Sequence, residues 1–96
     1  MVEFEDDPVK AAQNEQGHGI RFVDVREVFS DPYAIRIEDR ACDEARWVVV
    51  GFDGLGRLVV VSYTWRNEST IRIISARKAT RKEGRQYAER RKSVEG

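Results

Sequence analysis

Hydrophobic and polar residues alternate with the period of a β-strand in four stretches of the chain. Most of these stretches are rich in valine and isoleucine, whose branched side chains pack well on a pleated sheet. Residues 53–56 and 66–70 separate the last three stretches and are typical of hairpin turns, the first with two glycines available for positive φ. The pattern therefore predicts an antiparallel meander of four strands at 33–37, 46–52, 57–65 and 71–77.

A helix is predicted before this meander. Asp7 is a favourable N-cap and Pro8 a favourable first helical residue, so we expect the helix over 9–16. Gly17 is the expected C-cap, because glycine adopts the left-handed conformation without strain. His18 would then lie in a turn between two glycines that is free to bend sharply.

Two further helices are indicated. Apolar residues over 22–29 fall at helical spacing and predict a short helix with one apolar face. Thr80 and Glu83 have the spacing of a capping box, which predicts a last helix over 81–92. Residues 39–45 are polar and are expected to form a loop.

The expected fold class is α+β, with two N-terminal helices, the four-stranded meander and a C-terminal helix. A short extra strand around Phe4 is compatible with this order. The 96 residues, 41% hydrophobic and 35% charged, suit one small domain over 1–92, followed by a disordered tail at 93–96.

The composition excludes several kinds of protein. Cys42 is the only cysteine and His18 the only histidine, so an internal disulfide is impossible and neither a structural metal nor a cofactor is expected. The acidic start of the chain lacks a signal-peptide pattern, and the longest aliphatic run, at 58–61, is far too short for a membrane span. The cytoplasm is the expected location.

The two halves of the chain differ in charge. Residues 1–48 contain twelve acidic and six basic residues, whereas residues 49–96 contain five acidic and eleven basic residues. A pI of about 6.6 therefore does not exclude a basic face that binds nucleic acid.

The basic residues concentrate where the last strand leads into the last helix. Free backbone N–H groups at a helix start, together with guanidinium groups, suit a phosphate. The alternative is a solvated basic surface beside an ordinary capped helix.

The chain resembles the BrnT family, toxins of bacterial type II toxin–antitoxin pairs, in motifs at both ends. The opening motif comprises Phe4-Glu5, Asp7-Pro8, Lys10-Ala11, Asn14 and His18-Gly19. Later matches are Gly51, Gly56-Arg57, 59–61, the block 71–80, Glu83 and Tyr87. The resemblance implies a RelE-like fold and a ribonuclease activity that blocks translation. It also implies a BrnA-like antitoxin with a ribbon–helix–helix domain, which neutralises the toxin and recruits it to operator DNA.

RNA cleavage without a metal requires cations around the scissile phosphate. Arg66, Arg77 and Arg81 are the candidates for this clamp, and we expect them to converge at the strand–helix junction. The alternative is that they form surface ion pairs with the acidic first half, worth about 0–1 kcal/mol each.

Proton transfer needs a group that titrates near neutral pH, and His18 is the candidate general acid or base. The alternative is that His18 is a turn residue whose ring hydrogen-bonds to the backbone. Tyr87 is a candidate proton donor or base-stacking residue, or an anchor of the last helix. Trp65 is a candidate RNA platform or antitoxin contact. Further RNA-binding candidates are Lys10, Arg72, Lys78 and Lys82.

A second function is open because the chain departs from the family pattern at three positions. Gly17 stands where a Lys is usual, Trp65 where an acidic residue is common, and Gly84 where an Arg is common. The alternative is therefore a catalytically weak binding module that holds the antitoxin and acts as co-repressor.

Overall fold

The computed structural model describes residues 2–40 and 45–95. These residues form a mixed five-stranded sheet in the order β1-β5-β4-β3-β2 with helices around it. The strands are β1 (Glu3–Asp6), β2 (Ile35–Asp39), β3 (Arg46–Phe52), β4 (Leu58–Asn67) and β5 (Thr70–Lys78). The helices are α1 (Pro8–His18), α2 (Phe22–Val25), a 3₁₀ helix (Arg26–Ser30) and α3 (Arg81–Glu95).

The predicted meander is present in β2 to β5, whose neighbouring strands are antiparallel. The short extra strand that the sequence allowed around Phe4 is present as β1, but it joins the sheet as a fifth strand parallel to β5, so the sheet is mixed and not the expected four-stranded antiparallel one. The pairing ends where Asp6 lies opposite Ile73, so β1 borders only the first half of β5. Two parallel strands are joined by a long connection. The sequence around Phe4 therefore does not indicate which strand β1 pairs with.

One face of the sheet forms the core. Alternate strand residues point to this face and pack against α2 and the 3₁₀ helix. The predicted second helix at 22–29 is thus divided into these two elements. The fully buried side chains include Ile20, Val25, Val28, Val49, Val59, Val61, Ile71 and Ile73.

The opposite face is covered by α3 near the β3–β4 hairpin. The ring of Tyr87 meets that of Phe52 edge-to-face with centroids 5.2 Å apart. Val50 and Val60, which point to this face, are buried. The helix continues to Glu95, so residues 93–95 are helical and not the predicted disordered tail; Gly96 lies outside the described residues.

Helix α1 begins as predicted and ends later than predicted. Asp7 caps it by accepting from the N–H of Val9 at 2.9 Å. Gly17 is helical, and the left-handed C-cap is Gly19, with φ of 68°. His18 therefore belongs to the last helical turn, not to a free turn between two glycines. Either glycine is able to supply positive φ, so the local sequence did not decide between them.

Both hairpin turns differ from the prediction in detail. In the first, Gly56 alone has positive φ, at 77°. In the second, β4 and β5 extend until the turn is reduced to Glu68 and Ser69. β2 begins at Ile35, after a turn that contains Tyr33.

The central part of the predicted loop at 39–45, including Cys42, lies outside the described residues. No helix in the described part of the chain is long and apolar enough to cross a membrane.

Candidate functional site

The junction between β5 and α3 is held by a network around Glu83. Arg77 donates from Nη1 and Nη2 to the two oxygens of Glu83, both at 2.8 Å. The capping box is confirmed, since Thr80 N–H donates to Glu83 Oε1 at 2.8 Å and Glu83 N–H donates to Thr80 Oγ1 at 3.2 Å. The Glu83 carboxylate thus orients the Arg77 guanidinium and caps the N-terminus of α3.

This arrangement keeps both partners charged. The bidentate hydrogen bonds from Arg77 lower the pKa of Glu83 to about 2, against the smaller opposing effect of burial. The same hydrogen bonds raise the pKa of Arg77. Its side chain is 44% exposed, so it is accessible to a ligand while Glu83 fixes its direction. Three exposed cationic residues follow Arg77 in the sequence, namely Lys78, Arg81 and Lys82.

A groove of about 310 Å³ lies between α1 and the middle of β5. One stripe of α1 lines it, because residues three and four apart share a helix face, and Ile74 and Ser75 line the strand side. The structure brings two predicted site residues, Lys10 and His18, together here. The lining residues from α1 are Lys10, Gln13, Asn14, Gly17 and His18.

A β-bulge shapes the strand side of the groove. Ser62 pairs with Ser75 and Tyr63 with Ile73, so Ile74 is left without a cross-strand partner. Bulges bend a strand and re-aim its side chains, and they recur beside active sites.

Asn14 fixes α1 against this part of β5. It is buried, its Oδ1 accepts from the N–H of Ala76 at 2.9 Å, and its Nδ2 donates to the carbonyl of Ile20 at 2.9 Å. The contact occurs beyond the end of β1, where β5 no longer has a parallel neighbour. Asn14 was noted in the sequence only as part of a motif, and its structural partner is 62 positions away.

The expected convergence of Arg66 with Arg77 and Arg81 was wrong. In an antiparallel pair the end of one strand lies beside the start of the other. Arg66 follows Trp65, which pairs with Ile71 near the start of β5. Arg77 lies six residues farther along, which is about 20 Å at a strand rise of roughly 3.3 Å per residue.

Arg66 contacts the acidic strand β1 instead. Its Nε is 3.5 Å from Glu5 Oε1, and the Nε of Arg72 is 3.9 Å from the same oxygen. Arg66 thus forms a surface ion pair with the acidic first half, which is the alternative to a role in the clamp. Arg72 pairs with the same carboxylate, and both arginines lie near the start of β5, away from the strand–helix junction.

Tyr87 has the contacts of an anchor. Its hydroxyl donates to Asp31 Oδ2 at 2.7 Å, and its ring is buried. Burial, then the bond to Asp31, raises the pKa of Tyr87 to about 12, which makes it a poor proton carrier at neutral pH. Asp31 also accepts from the N–H groups of Tyr33 and Phe52. In the sequence, Asp31-Pro32 only marks the break after the predicted second helix, and nothing near it indicates these contacts.

An aromatic cleft opens at the other end of the core face, with a volume of about 340 Å³. Trp65 lies at the rim of this cleft, and 43% of the Trp65 surface is exposed. This cleft shares no lining residue with the groove between α1 and β5. Its lining comprises Val2, Phe29, Arg36, Trp47, Tyr63, Trp65 and Ile71.

The site therefore consists of two neighbouring parts along β5. The groove offers an imidazole and an ammonium group, and the junction offers a fixed guanidinium beside a helix N-terminus. Ser75 and Arg77 are two residues apart, about 7 Å along the strand. An imidazole next to cations can transfer protons beside an anion whose charge increases during reaction.

Comparison with known proteins identifies the family. A family described as "Ribonuclease toxin, BrnT, of type II toxin-antitoxin system" matches residues 7–83. Among curated proteins no significant relative was found. The crystal structure of the Brucella abortus ribonuclease toxin BrnT is similar in fold, with a TM-score of 0.70 and 22% identity, and the match covers 84% of this chain and 100% of that one. A type II system implies an antitoxin partner. Because the family match spans most of its residues, this chain belongs to the BrnT family of ribonuclease toxins.

Proposed function

We propose that this protein is an endoribonuclease that cleaves RNA without a metal ion and thereby inhibits translation. The observation that carries the proposal is the groove in which His18 and Lys10 face β5, two residues along the strand from Arg77. These groups supply what the reaction needs from a protein, namely an imidazole for proton transfer and positive charge beside the phosphate.

The reaction is an attack by the ribose 2′-hydroxyl on the adjacent phosphorus. The 2′-oxygen loses its proton and bonds to phosphorus, and the bond from phosphorus to the 5′-oxygen breaks as that oxygen gains a proton. The products are a cyclic phosphate and a 5′-hydroxyl. His18 is the proposed proton carrier, because it is exposed, it lines the groove, and histidine is the side chain that most often serves as a general acid or base.

Positive charge stabilises the transition state, in which the phosphoryl oxygens become more negative. Arg77 is the main proposed donor, because Glu83 holds its guanidinium in one orientation and a fixed donor needs no reorganisation during reaction. Arg81 and Lys10 contribute beside it, while Lys78 and Lys82 attract the RNA backbone non-specifically. Arg66, Arg72 and Tyr87 have no role in bond breaking in this scheme.

The partner is proposed from the family resemblance. A BrnA-like antitoxin with a ribbon–helix–helix domain binds the toxin in the cytoplasm, blocks cleavage and carries the complex to operator DNA. The protein itself makes no direct operator contact in this scheme.

The test is cleavage of a defined RNA by purified protein free of antitoxin, in the presence of EDTA. We expect cleavage by the wild type and a loss of about 10²- to 10⁴-fold with His18→Gln, the range typical of a general acid or base. Gln16→Ala, at an exposed position of α1 outside the groove, is the matched control and should cleave normally. Intact RNA with the wild type, or cleavage that requires an added metal, would overturn the proposal.

The second candidate is a binding module that holds the antitoxin as co-repressor and cleaves RNA weakly. The observation in its favour is that Glu83 engages Arg77 with two hydrogen bonds, while Gly17 leaves the groove without the usual Lys. It predicts a stable antitoxin complex and no growth arrest on expression. Growth arrest that His18→Gln abolishes, with equal amounts of soluble protein, would reject it.

A further inference from the structure

The aromatic cleft has the composition of a protein-interaction hot spot. Tryptophan, tyrosine and arginine are the residues that most often dominate the energy of protein interfaces, and phenylalanine is enriched with them. All four types line this one cleft. The aromatic and arginine residues concerned are Phe29, Arg36, Trp47, Tyr63 and Trp65.

The aromatic residues of the cleft pack against one another. Phe29 packs edge-to-face on Tyr63 with centroids 4.8 Å apart, and Trp65 also packs edge-to-face on Tyr63 at 6.5 Å. Tyr63 is only 2% exposed, so it forms the floor, while Trp65 forms the rim. A rigid aromatic surface loses little conformational entropy on binding, which favours affinity.

The charge in the cleft indicates the chemistry of its occupant. Arg36 points to the core face, since it pairs with the buried Val49, and its Nη2 donates to the carbonyl of Phe29 at 3.1 Å. Among residues 2–40 and 45–95, Arg36 has no carboxylate within ion-pair distance. A partner with an apolar side chain next to an Asp or Glu would fill the cleft and pair with this guanidinium.

We propose that this cleft is the anchoring site of the antitoxin, and that Trp65 and Arg36 are its two principal contacts. The inference rests on the proposed function for the identity of the partner. An RNA strand fits less well, because the lining is mostly apolar, whereas Lys78, Arg81 and Lys82 are exposed together at the strand–helix junction. Since the cleft and the groove share no lining residue, the anchor is separable from the chemistry.

The chain supplies its own reporters for a test. Trp47 and Trp65 are its only tryptophans, and both line the cleft. Toxin labelled with fluorotryptophan would therefore give two fluorine resonances that both report on the cleft, whatever tryptophans the antitoxin contains. The probe is the purified antitoxin encoded beside the toxin gene, added to the full-length labelled chain.

We expect antitoxin to shift both resonances. Trp65→Ala should raise the Kd for antitoxin by at least about 30-fold, as for a hot-spot tryptophan, and Arg36→Ala by about 10-fold. Leu55→Ala removes an apolar side chain from the β3–β4 turn that is 64% exposed, against 43% for Trp65, and serves as the control with unchanged Kd. Melting temperatures and RNA cleavage rates are measured on the same samples; both cleft variants should remain folded at the assay temperature, and their cleavage rates should be unchanged.

Unchanged antitoxin affinity in folded Trp65→Ala would overturn the proposal. A rise in the KM for RNA, with antitoxin affinity intact, would also overturn it and assign the cleft to RNA. Failure of the wild type to cleave RNA would refute the proposed ribonuclease function alone, because the binding arm of the experiment does not depend on cleavage.

Discussion

Replacing Asn14 by alanine should loosen α1 from β5 at a calculable cost. The substitution leaves the N–H of Ala76 and the carbonyl of Ile20 without their partners, and both residues are at most 1% exposed. Each orphaned buried group costs about 1–3 kcal/mol. Alanine recovers roughly 0.5 kcal/mol, because it is a better helix former than asparagine. The free energy of unfolding should therefore fall by about 3 kcal/mol.

Urea denaturation followed by circular dichroism measures this loss, with Gln16→Ala as control. Gln16 is exposed on the same helix, so its replacement should change the free energy by less than about 0.5 kcal/mol. For a domain of this size 3 kcal/mol corresponds to a drop of at least about 12 °C in melting temperature. A loss below 1 kcal/mol with Asn14→Ala would refute the assignment of Asn14 as the link between helix and strand.

Four further substitutions test contacts at and near the site. Glu83 has a folded-state pKa of about 2 against an ordinary value of 4.5, so its contribution is complete above pH 4.5 and is lost as the pH falls toward 2. The wild type should therefore exceed Glu83→Gln in free energy of unfolding by about 1–2 kcal/mol at pH 6, and the gap should close near pH 2; a constant gap would contradict this. Tyr87→Phe removes the 2.7 Å bond to Asp31 and should cost about 1.5–3 kcal/mol in urea titrations, with RNA cleavage by the folded fraction unchanged. Gly51→Ala places a Cβ 3.0 Å from Asp31 Oδ2 and should lower stability by about 1–3 kcal/mol, whereas Gly17→Ala meets nothing within 4 Å and should raise it slightly.

The features that the sequence predicted correctly are those determined by neighbouring residues. The Asp7 cap and the Thr80–Glu83 box were confirmed, because each consists of hydrogen bonds between residues two or three apart. The meander was confirmed for a related reason, since each of its strands pairs with the next one along the chain. β1 was different, because its partner β5 comes more than sixty residues later.

The candidate site was predicted less well than the fold. The sequence showed that Arg66 and Arg77 lie near strand ends, but strand direction decides which ends meet, and this separated them. Asn14 and Asp31 were not recognised as structural links because the partners that they tie together, Ala76 and Tyr87, are 62 and 56 positions away, respectively. The sequence did not place Lys10 and His18 on one helix face, because His18 was expected in a turn beyond the end of the helix. Nor did it show that this face lies against Ser75.

The short length of β1 explains how a chain of zero net charge can present a basic surface. Along the first half of β5, Glu5 of β1 faces Arg66 and Arg72, so the acidic strand offsets the arginines there. β1 ends opposite Ile73, and beyond that point the described residues include no acidic neighbouring strand on this edge of β5. The edge is instead occupied by α1, which presents Lys10 and His18. Arg77 and the exposed cations of the junction lie beyond the groove. Their long-range attraction for RNA weakens as salt is added. The difference in charge between the two halves of the sequence thus appears in the fold as a difference along β5. His18 lies beside the cationic part of this strand.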